Sequence, residues 1–207
     1  MNPQTRLKRT QHMLEAAEHL FTHKGIEKTT MQDIANQANI GVATVFRFFP
    51  RKEKLAVAVA TKQLDMVLET FQAIAATPVS CLEKLDLLFN HSISLLEKKD
   101  SSNVKLLENF ESFAANYKEP LEDIELFNSV YREISKVFST IIQQGQHDGS
   151  IRTDLPIENT LTTIMNTFGI FARKLSLQKN ILVVEPDLVP EEQLVILKHI
   201  LLSYLKS

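Results

Sequence analysis

Covalent cross-links and tight reversals have little to work with in this chain. Its 207 residues include one cysteine (Cys81), five glycines and no tryptophan. A lone cysteine cannot close an internal disulfide, so packing alone must hold the fold, and a reducing, cytoplasmic setting is expected. The first residues show no apolar run suited to a signal peptide, and no uninterrupted apolar segment approaches the roughly 20 residues a bilayer-crossing helix needs. Strand signals are equally scarce. The one β-branched run, "ILVVEP" at 181–186, reads as a short loop-covering segment, and neither period-2 alternation nor an internal repeat is found. P-loop, dinucleotide and catalytic-triad motifs are missing too, which argues against an enzyme and leaves no cofactor to expect.

What is present is an ordinary globular balance, 44% apolar and 23% charged, with Leu, Ile, Ala and Phe recurring at helical spacing. The expectation is an all-α protein. The net charge of −2 conceals an uneven distribution. Residues 1–55 hold nine Lys and Arg against five Asp and Glu, a balance of +4; the remainder holds fourteen against twenty, or −6. A basic end on an acidic body suits contact with a polyanion at that end only.

The pattern predicts a first helix over about 5–24, capped by Thr5 and closed by Gly25, with Met13, Ala16, Ala17, Leu20 and Phe21 on one face. "TMQD" at Thr30 is a capping box opening a short helix that ends near Ala38 and buries Ile34, Ala35 and Ala38. Asn39 and Ile40 turn the chain, and Gly41 opens a third helix over 42–48. A fourth helix is expected over 53–76, with Leu64, Val67, Leu68, Phe71 and Ile74 on one stripe and Thr77-Pro78 stopping it. Further helical segments fall near 80–98, 103–116, 121–147, 156–178 and 190–206.

Two short helices joined by so tight a turn form a helix-turn-helix, whose second helix is sized for the DNA major groove. Val42, Ala43 and Thr44 are small enough for close approach: Thr44 can hydrogen-bond a base or phosphate, and Val42 and Ala43 can touch a thymine methyl. Arg47, Arg51 and Lys52 add positive charge beside it, and Arg6, Lys8 and Arg9 can reach the flanking backbone. A compact three-helix corner with solvated basic residues would show the same spacing.

The longer run "TTMQDIANQANIGVATVFRFFPRKEKL" resembles the signature of TetR-type (TetR/AcrR) transcriptional regulators. The resemblance covers roughly the first quarter of the chain. It implies a DNA-binding domain over 1–52, with the helix-turn-helix at about 30–49, and a helical ligand-binding and dimerisation domain over 53–207. Ile34, Ala35 and Phe49 fall on core positions. Thr30, Gly41, Phe46, Arg47 and Lys52 join Arg6, Val42, Ala43 and Thr44 as implied DNA contacts, with Lys52 touching the phosphate backbone. Two residues depart from the family pattern: Gly41 stands where a Ser cap is usual, and Phe46 where a Tyr hydroxyl usually touches phosphate.

The same resemblance implies dimerisation through the last two long helices. Leu161, Met165 and Phe168 in one, and Leu194, Leu197, Leu201 and Leu205 in the other, are the expected seam. The last segment is apolar on more than one face, so it needs cover from a partner or from its own chain. Phe110, Phe113, Tyr117, Phe127, Tyr131, Phe138, Met165 and Phe168 form the candidate effector pocket; the same spacing also suits plain core. His12, His19 and His23 share a helix face without an evident completing ligand, which reads as an exposed flank. Cys81 reads as a small apolar filler, with nothing basic beside it in sequence to make it a redox sensor. The expected function is a homodimeric repressor released from a palindromic operator by a small apolar or aromatic effector. The alternatives are an activator, a ligand-independent DNA binder, or a protein-partner module.

Overall fold

The computed structural model describes residues 2–97, 102–178 and 189–207, so the 181–186 segment lies outside the described residues. Nine helices and no strand occur among the described residues: α1 (Pro3–Lys24), α2 (Met31–Gln37), α3 (Val42–Phe48), α4 (Lys52–Ala75), α5 (Cys81–Glu97), α6 (Ser102–Ala115), α7 (Ile124–Asp148), α8 (Ile157–Gln178) and α9 (Pro190–Leu205). Each expected segment is found, with ends displaced by a few residues. At the start of α1, Asn2 rather than Thr5 is the N-cap, its side chain accepting the Gln4 N–H at 3.1 Å. Pro3 suits the first helical turn, where its missing N–H has no intrahelical partner to lose.

The helices form two compact units, Met1–Met66 with Ser102–Tyr131, and Val67–Ser101 with Arg132–Ser207. In the first unit, α1 packs on α2 and α6, and α2 on α3. Its core joins Met13, Ala17 and Phe21 of α1 and Ile34 of α2 to Val45 of α3, Leu55 and Val59 of α4, and Leu106, Phe110 and Phe113 of α6. Burying large side chains contributes roughly 1.5–3 kcal/mol each, so this contiguous cluster is what fixes the short helices α2 and α3, too short to persist alone. Polar ties add register: Lys62 Nζ donates to Glu18 Oε2 at 2.9 Å, linking α4 to α1. Asn109 Nδ2 donates to the Phe21 carbonyl at 3.3 Å, linking α6 to the end of α1.

In the second unit α9 packs against both α5 and α8. Leu194 and Leu205 of α9 are buried there, as is most of Lys198, whose Nζ donates to Asp86 Oδ1 and Asn90 Oδ1, both at 2.8 Å. At the end of α7, Gly145 lets Ile151 fold back against the helix, with the Ile151 N–H donating to the Gly145 carbonyl at 2.9 Å. An added Cβ at Gly145 would lie 2.5 Å from the Ile151 Cδ1. Cys81 is buried beside the same place; desolvation by its surroundings, then the carboxylate of Asp148, push its thiol above the usual value. A thiol held protonated is a poor nucleophile, which fits a packing role. Among the described residues no helix is long and apolar enough to cross a membrane.

Candidate nucleic-acid interface

The helix-turn-helix is built from the cap outward. The Asp33 N–H donates to Thr30 Oγ1 at 3.1 Å while the Thr30 N–H donates to Asp33 Oδ2 at 2.8 Å, closing the capping box. Lys24 Nζ also donates to Asp33 Oδ2 at 2.6 Å, fastening the end of α1 to the start of α2. The Lys24 contact first, then the Thr30 backbone and hydroxyl, hold the Asp33 carboxyl down at about 2. The hydroxyl oxygen of Thr30, an expected DNA contact, thus already serves the cap. Ala38 ends α2, and Asn39 turns the chain at a φ of +50°, a left-handed conformation that Asn tolerates better than most residues. Gly41 then caps α3 without a side-chain hydrogen bond.

Val45, fully buried, pins α3 on the core of its unit. With Val45 facing in, the helical spacing turns Ala43, Phe46 and Arg47 out to solvent, and Val42 and Thr44 are half-buried beside them. Phe46 is 48% exposed, a large apolar ring in water on the face that the sequence reading assigns to DNA. Arg6, on the second turn of α1, is exposed as well. Its guanidinium carbon lies 6.0 Å from the centroid of the Phe48 ring, and that of Arg47 lies 5.8 Å from the same centroid. Arg6, Arg9, Arg47 and Phe48 line an open cleft of about 620 Å³. Phe48 was assigned no role from sequence, and no local signal could have found it, because Arg6 stands far from it along the chain.

Lys52 departs from its expected role. Its ammonium donates to the carbonyls of Ile26 at 2.8 Å, Glu27 at 3.0 Å and Thr29 at 3.0 Å, so all three protons are used inside the protein. Desolvation is the main reason its pKa lies below the ordinary lysine value. The residue ties the start of α4 to the loop between α1 and α2, rather than extending toward a phosphate.

The expected effector residues divide between the two units. Phe110 and Phe113 are buried in the core of the first unit, and the Phe127 ring lies tilted against Phe110 at 5.0 Å between ring centroids. Tyr117 and Tyr131 are both exposed, and the Tyr117 hydroxyl donates to Glu53 Oε1 at 2.8 Å. Phe138, Met165 and Phe168 belong to the second unit, where Phe138 meets Phe71 edge-on at 5.6 Å and Phe168 meets Phe89 at 4.9 Å. Of the expected seam residues, Leu161, Phe168, Leu194 and Leu205 are buried within the chain itself. The phase of α9 explains it: the face carrying Leu194, Lys198 and Leu205 packs inward, and Ile196, Ile200 and Tyr204 stand out at 59%, 59% and 51% exposure. His19 and His23 stack at 4.5 Å, and no group of three metal-ligating side chains occurs among the described residues.

A seven-residue helix held by its core face and bared on the other, a tight turn from a capped helix, and a basic surround define a helix-turn-helix DNA-binding regulator. Residues 13–59 match the family model described as bacterial regulatory proteins, tetR family. Over 168 residues the chain is 29% identical to the HTH-type transcriptional repressor KstR2 of Mycolicibacterium smegmatis, covering 80% of this chain and 78% of the relative. It is 22% identical over 155 residues to the fatty acid metabolism regulator protein of Bacillus subtilis, covering 75% and 77%. The structure of FadR from Bacillus subtilis in complex with stearoyl-CoA superposes with a TM-score of 0.74 at 16% identity, covering 94% and 98%. Residues 13–59 thus carry the tetR-family match, and over four-fifths of its length the chain is similar to a transcriptional repressor.

Proposed function

We propose that this regulator is a cytoplasmic homodimeric repressor that leaves a palindromic operator when a small apolar effector binds. The observation that carries the dimer is the exposed stripe of Ile196, Ile200 and Tyr204, repeating every four residues along α9, with Ile170 of α8 exposed at 69%. An exposed stripe of this kind on a helix already packed on its other side is suited to a two-fold seam, and a two-fold axis presents two readers to two half-sites. In this reading residues 1–52 bind DNA through Arg6, Val42, Ala43, Thr44, Phe46 and Arg47, and residues 53–207 sense the effector and dimerise.

For the effector, the second unit supplies Phe71, Phe89, Phe138, Met165 and Phe168, an aromatic and thioether interior suited to an acyl or ring-bearing molecule. A long-chain acyl-CoA is the first class to test, given the ligand in the related FadR structure. A tenfold loss of operator affinity requires the effector to prefer the DNA-incompetent conformation by about 1.4 kcal/mol. Signal transfer has more than one covalent route. The chain passes between its two compact units three times, within α4, before α6 and within α7.

The test is selection of bound fragments from random and genomic DNA, with the mass of each complex measured before and after adding acyl-CoAs. A palindromic site held by an even number of chains, and released by an acyl-CoA, is the expected result. A non-palindromic site held by one chain would overturn the dimer. Undiminished binding under every apolar compound tried would favour a ligand-independent DNA binder.

A further inference from the structure

We propose that Arg6, Phe48 and Arg47 act as one clamp on a single DNA backbone phosphate, with Phe48 as the positioning residue that both guanidiniums approach. The inference rests on the DNA-binding reading and adds a site within it. Its starting point is an electrostatic imbalance. Two cations, one from α1 and one from α3, converge on the same ring at 6.0 and 5.8 Å, and neither makes an ion pair with a carboxylate among the described residues. Like charges brought together without a counter-charge repel, so the arrangement favours an anion entering between them.

The ring is a fixed support. Phe48 is half-buried against the core of the first unit, next to fully buried Val45, so its exposed face is held in place by the fold. A guanidinium over an aromatic face keeps its N–H fork directed outward at its edge, where it can meet phosphate oxygens. Neither Phe46 nor Phe48 can donate a hydrogen bond, so the donors at this corner are the arginines. The open cleft they line, about 620 Å³, has room for a phosphate with its sugar. Arg47 follows Ala43 by one turn of α3, roughly 6 Å along the axis, which puts the clamp at the edge of the groove that Ala43 and Thr44 would enter. The backbone runs along that edge.

Operator binding would be titrated across a salt series for the wild type, Arg6→Ala, Arg47→Ala, the double variant, Phe48→Leu and Phe48→Tyr, with thermal unfolding of each. If both arginines hold one phosphate, the double variant lowers the slope of log affinity against log salt by about 0.9 for each bound protomer, or about 1.8 for a dimer on two half-sites. Two independent phosphates would lower it by about twice that, which would overturn the clamp. Phe48→Leu is expected to weaken binding on the order of fivefold with little change in slope, because the charges remain but lose their support. Phe48→Tyr should restore it. In the double-arginine background Phe48→Leu should cost nothing further; an undiminished cost there would make Phe48 a packing residue only. The slope of the double variant does not depend on how any Phe48 variant folds. Absence of DNA binding by the wild type would overturn the regulator reading and the clamp together. Wild-type binding with an unchanged slope in the double variant would overturn the clamp alone.

Discussion

Replacing Lys52 by Met keeps most of the side-chain stem and removes the ammonium, and the structure predicts a loss of stability rather than of a DNA contact. Three carbonyls lose a charged donor. Those of Ile26 and Thr29 belong to residues that are almost wholly buried, whereas Glu27 is exposed and water can take over there. A hydrogen bond to a charged group contributes about 1.5–3 kcal/mol, and desolvation of the half-buried ammonium offsets part of that. With one of three acceptors recoverable, the expected cost is about 2–4 kcal/mol. In urea, with a slope of roughly 2 kcal/mol per molar, the unfolding midpoint should fall by about 1–2 M. Binding measured well below that midpoint should retain its salt slope. A Lys52 held against phosphate would do the opposite: the midpoint would hold and the slope would drop by about 0.9 for each bound protomer. That pair of results would refute the assignment of Lys52 to the loop between α1 and α2.

Three other perturbations test separate parts of the fold. Asp33 has a folded pKa of about 2, below its ordinary 3.8, so its stabilisation is complete above the unfolded value and is lost as pH falls through 3.8 toward 2. Acid unfolding of Asp33→Asn should therefore show a weaker pH dependence across that window, and an identical profile would dissolve the Lys24–Asp33–Thr30 linkage. Gly145→Ala would ordinarily favour a helix by about 0.5–1 kcal/mol, but the new Cβ would lie 2.5 Å from Ile151 Cδ1, so overpacking of about 1–3 kcal/mol should win. A raised unfolding temperature would show that Ile151 moves aside at little cost. Gln63 is only 2% exposed, and neither amide atom has a hydrogen-bond partner among the described residues, so Gln63→Leu should stabilise the protein by about 1–3 kcal/mol in calorimetry. A clear loss of stability would mean that the amide is hydrogen-bonded in solution.

Much of the fold was legible because its signals are local. The apolar spacing of Met13, Ala17 and Phe21, the Thr30–Asp33 box and the Asn39 turn each act within a few residues, and the structure contains all three. The exposed ring of Phe46 and the buried side chain of Val45 follow from the same helical phase. Legibility failed where one position could face two ways. α9 is apolar on more than one side, so its sequence could not say which side meets its own chain; α5 and α8 take the side of Leu194 and Leu205, and leave Ile196, Ile200 and Tyr204 outside. Gln63 of α4 is a second case, polar by type and yet buried, which its residue type gave no reason to expect.

By itself, then, the sequence determined the all-α class, the helix order and the short third helix, since hydrophobic period, caps and turns are properties of short stretches of chain. Only the tertiary structure decided which distant residues come together. Lys52 meets the Ile26–Thr29 loop, Arg6 and Arg47 approach the same Phe48 ring, and the aromatic residues expected in one pocket fall into two units. Those pairings depend on how helices pack, and packing is set by the combined shape of many side chains that no single stretch of sequence contains.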